Sequence, residues 1–364
     1  MIPIFEPYLG KSEKDFLVDA IDSGWISSQG KYIEMLEKEL CNYHAVDHCV
    51  VTSSCTTALH LSLLSLDISP GDEVICSALT FIAPANMVKL CGAKLVLVDI
   101  DQDTMTIDPS LIERAITKKT KAIIVVHQFG HSAHMDEILQ ISKRNNISVI
   151  EDNAESIGGK YKGKLLGTIG DLSTLSFFGN KIITSGEGGA VITNRKELAD
   201  KARILRDHGQ SREIKYDFIL PGYNYRMTNL QAAIGYAQVG KLGDILTKRK
   251  NQMELYYQIL EDEKKISLRK FANWTTPVHW LLTLSIDNVL NTSLIIKKMG
   301  EKGIECRPMI GPVYDAKHFR KMFDETEFPN ARNVSQKFFH LPSATGLTKQ
   351  EIEFICNHLS EIIN

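Results

Sequence analysis

Short, uninterrupted apolar runs set between helical stretches constrain this chain more than any other feature. Leu95-Val-Leu-Val98 and Ile123-Ile-Val-Val126 carry no polar alternation. A strand of that kind has both faces buried, which a parallel sheet covered by helices on both sides provides. The rhythm is regular. Strands are predicted at 48–53, 73–77, 94–99, 121–127 and 147–152, with helices between them at 56–66, 83–90, 109–116 and 135–145. Residues 12–23 read as an earlier helix stopped by Gly24, and further strands are predicted at 172–178 and 190–193.

Beyond residue 229 the pattern changes. Residues 229–262 read as long, highly charged helical stretches. Strands near 280–285 and 306–309 and a final helix near 349–362 suggest a mixed α+β unit. A length of 364 residues suits two unequal domains. We therefore expect an α/β fold: a large domain, 1–240, with a mostly parallel central sheet, and a smaller C-terminal α+β domain, 241–364.

Bulk properties exclude several classes. A net charge of −2 argues against a nucleic-acid partner. No apolar run approaches the ~20 residues of a membrane span, so no membrane partner is expected. The start, Met-Ile-Pro-Ile-Phe-Glu-Pro, lacks a basic segment followed by an apolar one, so no signal peptide is expected. Seven scattered cysteines do not form a disulfide framework, and a reducing cytoplasm is the expected location. Cys41, His44, His48 and Cys49 have the residue types of a zinc site, but their spacing fits no common finger, and no metal is expected.

The chemistry is concentrated in Ser176-Phe-Phe-Gly-Asn-Lys-Ile-Ile-Thr-Ser-Gly-Glu-Gly-Gly189. Lys181 is offered between an apolar strand and a glycine-rich turn, a setting suited to Schiff-base formation. Glu151-Asp152-Asn153-Ala154-Glu155 precedes it by about one strand–loop unit. An acid ending a buried strand, followed by such a lysine, matches the needs of pyridoxal phosphate: a partner for the ring nitrogen and an amine for the aldehyde.

Nearly end to end, the chain resembles the DegT/DnrJ/EryC1/StrS sugar aminotransferases, which are fold-type I pyridoxal phosphate enzymes. The resemblance is carried by Trp25-Ile-Ser-Ser-Gln-Gly30, Thr52-Ser-Ser-Cys-Thr-Thr-Ala-Leu59, Pro70-Gly-Asp-Glu-Val74, Thr80-Phe-Ile-Ala83, Glu151-Asp152, the Lys181 run and Gly222-Tyr-Asn-Tyr-Arg-Met-Thr228. Phe177-Phe-Gly-Asn-Lys181 with Gly186-Glu-Gly-Gly189 looks most like the GDP-perosamine synthase branch.

The resemblance implies roles at matching positions. Lys181 would carry the cofactor and Asp152 would face its ring nitrogen. Phe81 would stack on the ring, its alternative being a plain core phenylalanine. Glu155 falls where many relatives have Gln or His, near the cofactor's phenolic oxygen. Ser176 and the turn Ser54-Cys55-Thr56 would bind phosphate. Relatives usually have glycine in place of Cys55, and the alternative for the turn is a simple helix N-cap. Asn224 would reach a neighbouring subunit's phosphate, giving a homodimer with shared active sites. Arg226 would hold a dicarboxylate donor or nucleotide phosphates, or else form an interface salt bridge. Trp25, Ser27 and Ser28 match a substrate-side loop. His127 is a candidate cofactor-side group, and His208 a structural one.

The function so implied is amino transfer from glutamate, leaving 2-oxoglutarate, to C4 of a nucleotide-linked 4-keto-6-deoxy sugar, with GDP-perosamine as product. The alternatives are a dTDP- or UDP-linked sugar, amination at C3, a sugar 3-dehydratase, or a non-catalytic cofactor-binding protein. The dehydratase branch has histidine in place of the lysine, so Lys181 counts against it.

Overall fold

A computed structural model describes residues 1–287 and 292–364. Its centre is a seven-stranded sheet in the order His48–Thr52, Gly189–Thr193, Leu172–Ser176, Ser148–Asp152, Thr120–Val126, Glu73–Ser77, Lys94–Val98. The last five strands pair in parallel. Each predicted strand in this region is present, with its ends moved by at most two residues.

The apolar runs are buried on two faces at once. Val74, Cys76, Ala122, Ile124, Val126 and Ile150 point into one core. Their neighbours Ile75, Ile123, Val125 and Val149 point into another, beneath Met135–Asn145. Alternating side chains of one strand thus fill two cores. This is why these strands show no polar alternation.

One strand breaks the parallel pattern. Gly189–Thr193 runs antiparallel to both neighbours. A parallel return needs a crossover of a dozen or more residues, usually a helix. Residues 177–188 supply a glycine-rich loop without a helix, so the chain turns back beside the strand it has just left. Lys181 sits in that loop. The register pairs Gly189 with both Ser176 and Thr52, and Asp152 with Thr174. The ends of four strands therefore meet at one edge of the sheet.

The C-terminal part holds a second sheet, in the order Ile266–Leu268, Leu282–Ile286, Phe338–Leu341, Arg307–Pro308. It packs with the helices Leu242–Leu260, Ser293–Glu301 and Lys349–Ile363 around its own core. The N-terminus joins this part: Ile2 bridges Ile304, and the Ile4 carbonyl accepts from the Ser343 N–H at 2.9 Å. A three-stranded ribbon, Thr275–Thr276 with Lys160–Tyr161 and Lys164–Leu165, ties the segment after Leu260 to the large sheet's side of the molecule. The helices Lys31–His44, Lys196–Arg206 and Pro329–Lys337 and the strand Phe338–Leu341 are additions to the elements expected from sequence.

Gly189 has a specific reason to be glycine. An added Cβ there would lie 2.5 Å from the Cys55 nitrogen and 2.5 Å from the Ser54 carbonyl carbon. Both are backbone atoms and cannot swing away. Gly189→Ala should cost roughly 1–3 kcal/mol, as overpacking in a close-packed interior does. A denaturant melt showing wild-type stability would contradict this packing.

Candidate active site

The edge where the strands meet opens into a cavity of about 420 Å³. Ser54, Cys55, Thr56, Phe81, Asp152, Glu155, Ser176 and Lys181 all line it, so eight of the residues singled out from sequence converge on one space.

The floor is built from the helix Cys55–Ser65. Ser54 is its N-cap, with extended backbone (φ −164°) and a side chain that accepts from the Thr57 N–H. Cys55 is the first helical residue and needs no left-handed conformation. The turn therefore forms without the glycine that relatives use. The first N–H groups of the helix face the cavity with the positive end of its dipole. Burial pushes the Cys55 thiol well above its usual range, so it stays a neutral thiol.

Asp152 ends its strand at 5% exposure and accepts from the Ala154 N–H at 3.0 Å. Burial raises its pKa to about 6; the Ala154 N–H and Lys181 pull it down, and Glu155 adds to the rise. Lys181 Nζ lies 3.6 Å from Glu155 Oε1, and both side chains are largely buried. Glu155 is itself fixed, accepting from the Phe129 N–H at 2.7 Å. Phe81 is 61% exposed, which removes the reading of a core phenylalanine.

Several cavity residues were not singled out from sequence. The Trp280 ring covers Lys181, with Nζ 3.8 Å from its centroid. The indole N–H donates to the Asn180 carbonyl at 2.6 Å, and the ring stacks on Phe129 at 6.1 Å. His340 and Arg307, on paired strands of the second sheet, also line the cavity. Burial, with the nearby Arg269 and Arg307, lowers the His340 pKa to about 3, so its imidazole is neutral. These residues lie 99 or more positions from Lys181, with no motif to connect them.

His127 is not a cavity group. Its Nδ1 accepts from the Ala133 N–H at 3.2 Å, so its Nε2–H donates to Glu151 at 2.9 Å. Both ring nitrogens are used behind the sheet edge. His208 is exposed, with a left-handed backbone (φ 58°). Asn224, Trp25, Ser27, Ser28 and Arg226 lie outside the cavity. Asn224 is exposed and bridges Asp207. Arg226 pairs with Asp207 and donates to Ser28 Oγ at 2.9 Å. Buried Asn229 pins the 25–32 segment: it donates to the carbonyls of Trp25 (2.7 Å) and Ser27 (2.5 Å) and accepts from the Tyr32 N–H (3.0 Å). No cluster of metal-binding side chains exists among the described residues, and Cys41 and Cys49 are free thiols. No helix among the described residues is long and apolar enough to cross a membrane. A wider, open hollow of about 1130 Å³ near Tyr314 has no lysine on its walls, and its Arg332 and Asp315 neutralise each other at 2.6 Å.

The cavity also holds unmet hydrogen-bonding capacity. Thr80 Oγ1 and Asn180 Oδ1 are buried at its wall without partners. An amine, a buried raised carboxyl, a helix N-terminus and an uncovered aromatic face suit a flat, anionic, ring-nitrogen cofactor.

Fold and cavity together define an α/β enzyme built for amine chemistry on a bound cofactor. The chain belongs to the DegT/DnrJ/EryC1/StrS aminotransferase family, whose profile it matches over residues 7–360, and it is a pyridoxal phosphate-dependent sugar aminotransferase. It is 40% identical to a GDP-perosamine synthase of Caulobacter vibrioides, over 100% of this chain and 98% of that one. It is 38% identical to a GDP-perosamine synthase of Escherichia coli O157:H7, over 99% and 98%. Among solved structures it superposes on a putative sugar aminotransferase, Spr1654 from Streptococcus pneumoniae, in its PMP form, with a TM-score of 0.95, 28% identity and full coverage of both chains. Helicobacter pylori PseC, an aminotransferase of pseudoaminic acid biosynthesis, superposes with a TM-score of 0.94 at 26% identity, covering 100% of this chain and 99% of that one.

The raised Asp152 pKa has a measurable sign. In the unfolded chain this carboxyl titrates near 3.8, in the folded protein near 6. Ionising it therefore costs the cofactor-free protein stability, a cost absent below about pH 4 and complete above pH 6. Asp152→Asn should make the cofactor-free protein more stable at pH 7, by on the order of 2 kcal/mol, with the gap closing towards pH 4. Urea melts across that range check it. A gap that does not change with pH would show that Asp152 is not the group being desolvated.

Proposed function

We propose that this protein moves an amino group from glutamate to C4 of a nucleotide-linked 4-keto-6-deoxy sugar, converting GDP-4-keto-6-deoxymannose to GDP-perosamine. The observation that carries this reading is the convergence of Lys181 and Asp152 on one cavity, beneath Trp280 and beside an uncovered Phe81. The two GDP-perosamine synthases, similar along their whole length, support the choice of acceptor.

In this reading the Ser54–Thr56 turn and Ser176 hold the cofactor phosphate. Phe81 covers one face of the ring. Asp152 would keep the ring nitrogen protonated: with a cationic partner its carboxylate would lose the penalty of its burial. Bound pyridoxal phosphate supplies an aldehyde carbon for amine exchange and a ring that withdraws electrons from it. Lys181 provides the amine that anchors it. The same Nζ would be the group that moves a proton during amine exchange. Glu155, 3.6 Å away, fixes where Nζ rests. Trp280 and Phe129 keep water from that side.

Incubation of the pure protein with glutamate and each of the GDP-, dTDP- and UDP-linked 4-keto-6-deoxy sugars tests the reading. The GDP compound should give the highest kcat/KM, and Lys181→Ala should abolish turnover. A dTDP or UDP preference would overturn the acceptor assignment, and turnover by Lys181→Ala would overturn the lysine's role.

Asn224 is exposed and does not line the cavity of its own chain, which supports a site completed by a second copy. In a twofold dimer the two sites are equivalent. Co-refolding Asn224→Ala with Lys181→Ala puts both lesions in one site and leaves the other intact, so activity should return in the mixture. Mixed dimers without recovered activity would show that Asn224 serves its own chain.

A further inference from the structure

The amino donor is a dicarboxylate in the reading above, on which this inference rests. Its negative charges need positive partners near Lys181. The cavity walls carry three acids, Asp152, Glu155 and Glu187, and only two permanent cations, Lys181 and Arg307. Lys181 is occupied by the chemistry. His340 is neutral and adds no charge. Arg226, the arginine that sequence alone suggested for the donor, is outside this cavity and already bound to Asp207 and Ser28.

We propose that Arg307 is the residue that selects a dicarboxylate donor, by pairing its guanidinium with the carboxylate remote from the reacting amine. Arg307 lies on the short strand Arg307–Pro308, opposite His340, at the cavity wall. The backbone is held there by the second sheet, and the following Pro308 and Ile310 also line the cavity. The side chain is about half exposed. Its partner in the protein is Glu305, two residues away, at 3.2 and 3.3 Å from two guanidinium nitrogens. Both atoms contact the same carboxylate oxygen, so the pairing is not the two-oxygen fork that Arg forms best. An exposed pair of this sort contributes little. Glu305 also has a second occupation: its other oxygen accepts from the Ile4 N–H at 3.0 Å. Arg307 is thus placed by the backbone, weakly engaged, and free to turn to an incoming anion without stranding Glu305.

A carboxylate entering this cavity would otherwise meet the field of Asp152, Glu155 and Glu187. Like-charge contact of that kind disfavours binding, and one guanidinium reverses the local sign. An amino acid such as alanine has no second carboxylate and gains nothing from Arg307 in that role, so Arg307 sets a preference among donors rather than the rate of proton transfer.

The test uses the cofactor-loaded protein and glutarate, a dicarboxylate without an amine. Calorimetry reads its affinity in wild type, Arg307→Gln and Arg307→Lys. Arg307→Gln should bind glutarate roughly 10- to 100-fold more weakly, as loss of a charge pair in a partly desolvated site does. Arg307→Lys should recover part of this. The half-reaction with glutamate should show the same loss, mostly in KM, while that with alanine changes less than threefold. The absorbance of the bound cofactor should stay that of wild type, which separates this role from general damage to the site. Equal glutarate binding by wild type and Arg307→Gln would overturn the assignment. So would a loss on Arg226→Gln instead, which would place the cation on the 222–228 loop of a second copy. A wild-type protein that processes alanine but ignores both glutarate and glutamate would overturn the donor reading itself, and this assignment with it.

Discussion

A fully buried carboxylate holds the edge of the sheet on which the site stands. Glu151 has no exposure and accepts four hydrogen bonds: from His127 Nε2 and from the N–H groups of Gly167, Ile169 and Gly170, all between 2.7 and 2.9 Å. Burial alone would neutralise it. The His127 bond and the backbone donors outweigh that and hold its pKa below the usual carboxylate range. Charge-assisted bonds in a low-dielectric interior are strong, and an unpaired member would be costly. Glu151 therefore fixes three segments at once: its own strand, the turn after Leu165, and the end of Thr120–Val126 through His127. Asp152, the next residue, emerges from this clamp on the opposite face.

The site extends the same arrangement. The 127–129 turn carries His127 to Glu151 on one side and presents the Phe129 N–H to Glu155 on the other. Phe129 has a left-handed backbone (φ 49°), uncommon for a residue with a large side chain. Its carbonyl and that of Gln128 accept from buried Arg269 at 3.2 and 3.1 Å. Its ring lies against Trp280 and His340. The surroundings thus over-determine a conformation that would otherwise cost about 1–2 kcal/mol. The result is a carboxylate aimed at Lys181 by the large sheet and an aromatic cover supplied by the C-terminal part.

Much of this was legible in the chain. The uninterrupted apolar runs fixed the parallel, doubly covered sheet, because only strands with two buried faces lack alternation. Lys181 and the Glu151-Asp152 pair marked the chemistry, because an amine and an acid at strand ends have few other uses. The pair also shows where reading residues stops short. The sequence assigned a role to Asp152 and none to Glu151. Their opposite roles follow from the period of two along a strand, which sends neighbouring side chains to opposite faces, and from which face the cavity occupies. His127 was misplaced for the same reason: its run is adjacent to the site, but its ring turns behind the sheet.

What the sequence determined, then, was local: element type, the order of strands along the chain, and the residues able to do covalent amine chemistry. Tertiary structure decided which of them share a space. The reversal of Gly189–Thr193 brings Thr52, Ser176 and the Lys181 loop to one edge, and that reversal depends on its pairing with His48–Thr52, where Val50 faces Val191, 141 positions further along the chain. Trp280, just before the strand Leu282–Ile286, and Arg307 and His340, on strands of the second sheet, reach the cavity from the C-terminal part; strands near 280–285 and 306–309 were expected, but nothing in them pointed to this cavity. Periodicity records the faces a segment must bury. It does not record which distant segment will cover them, because that choice is made by the packing of whole elements.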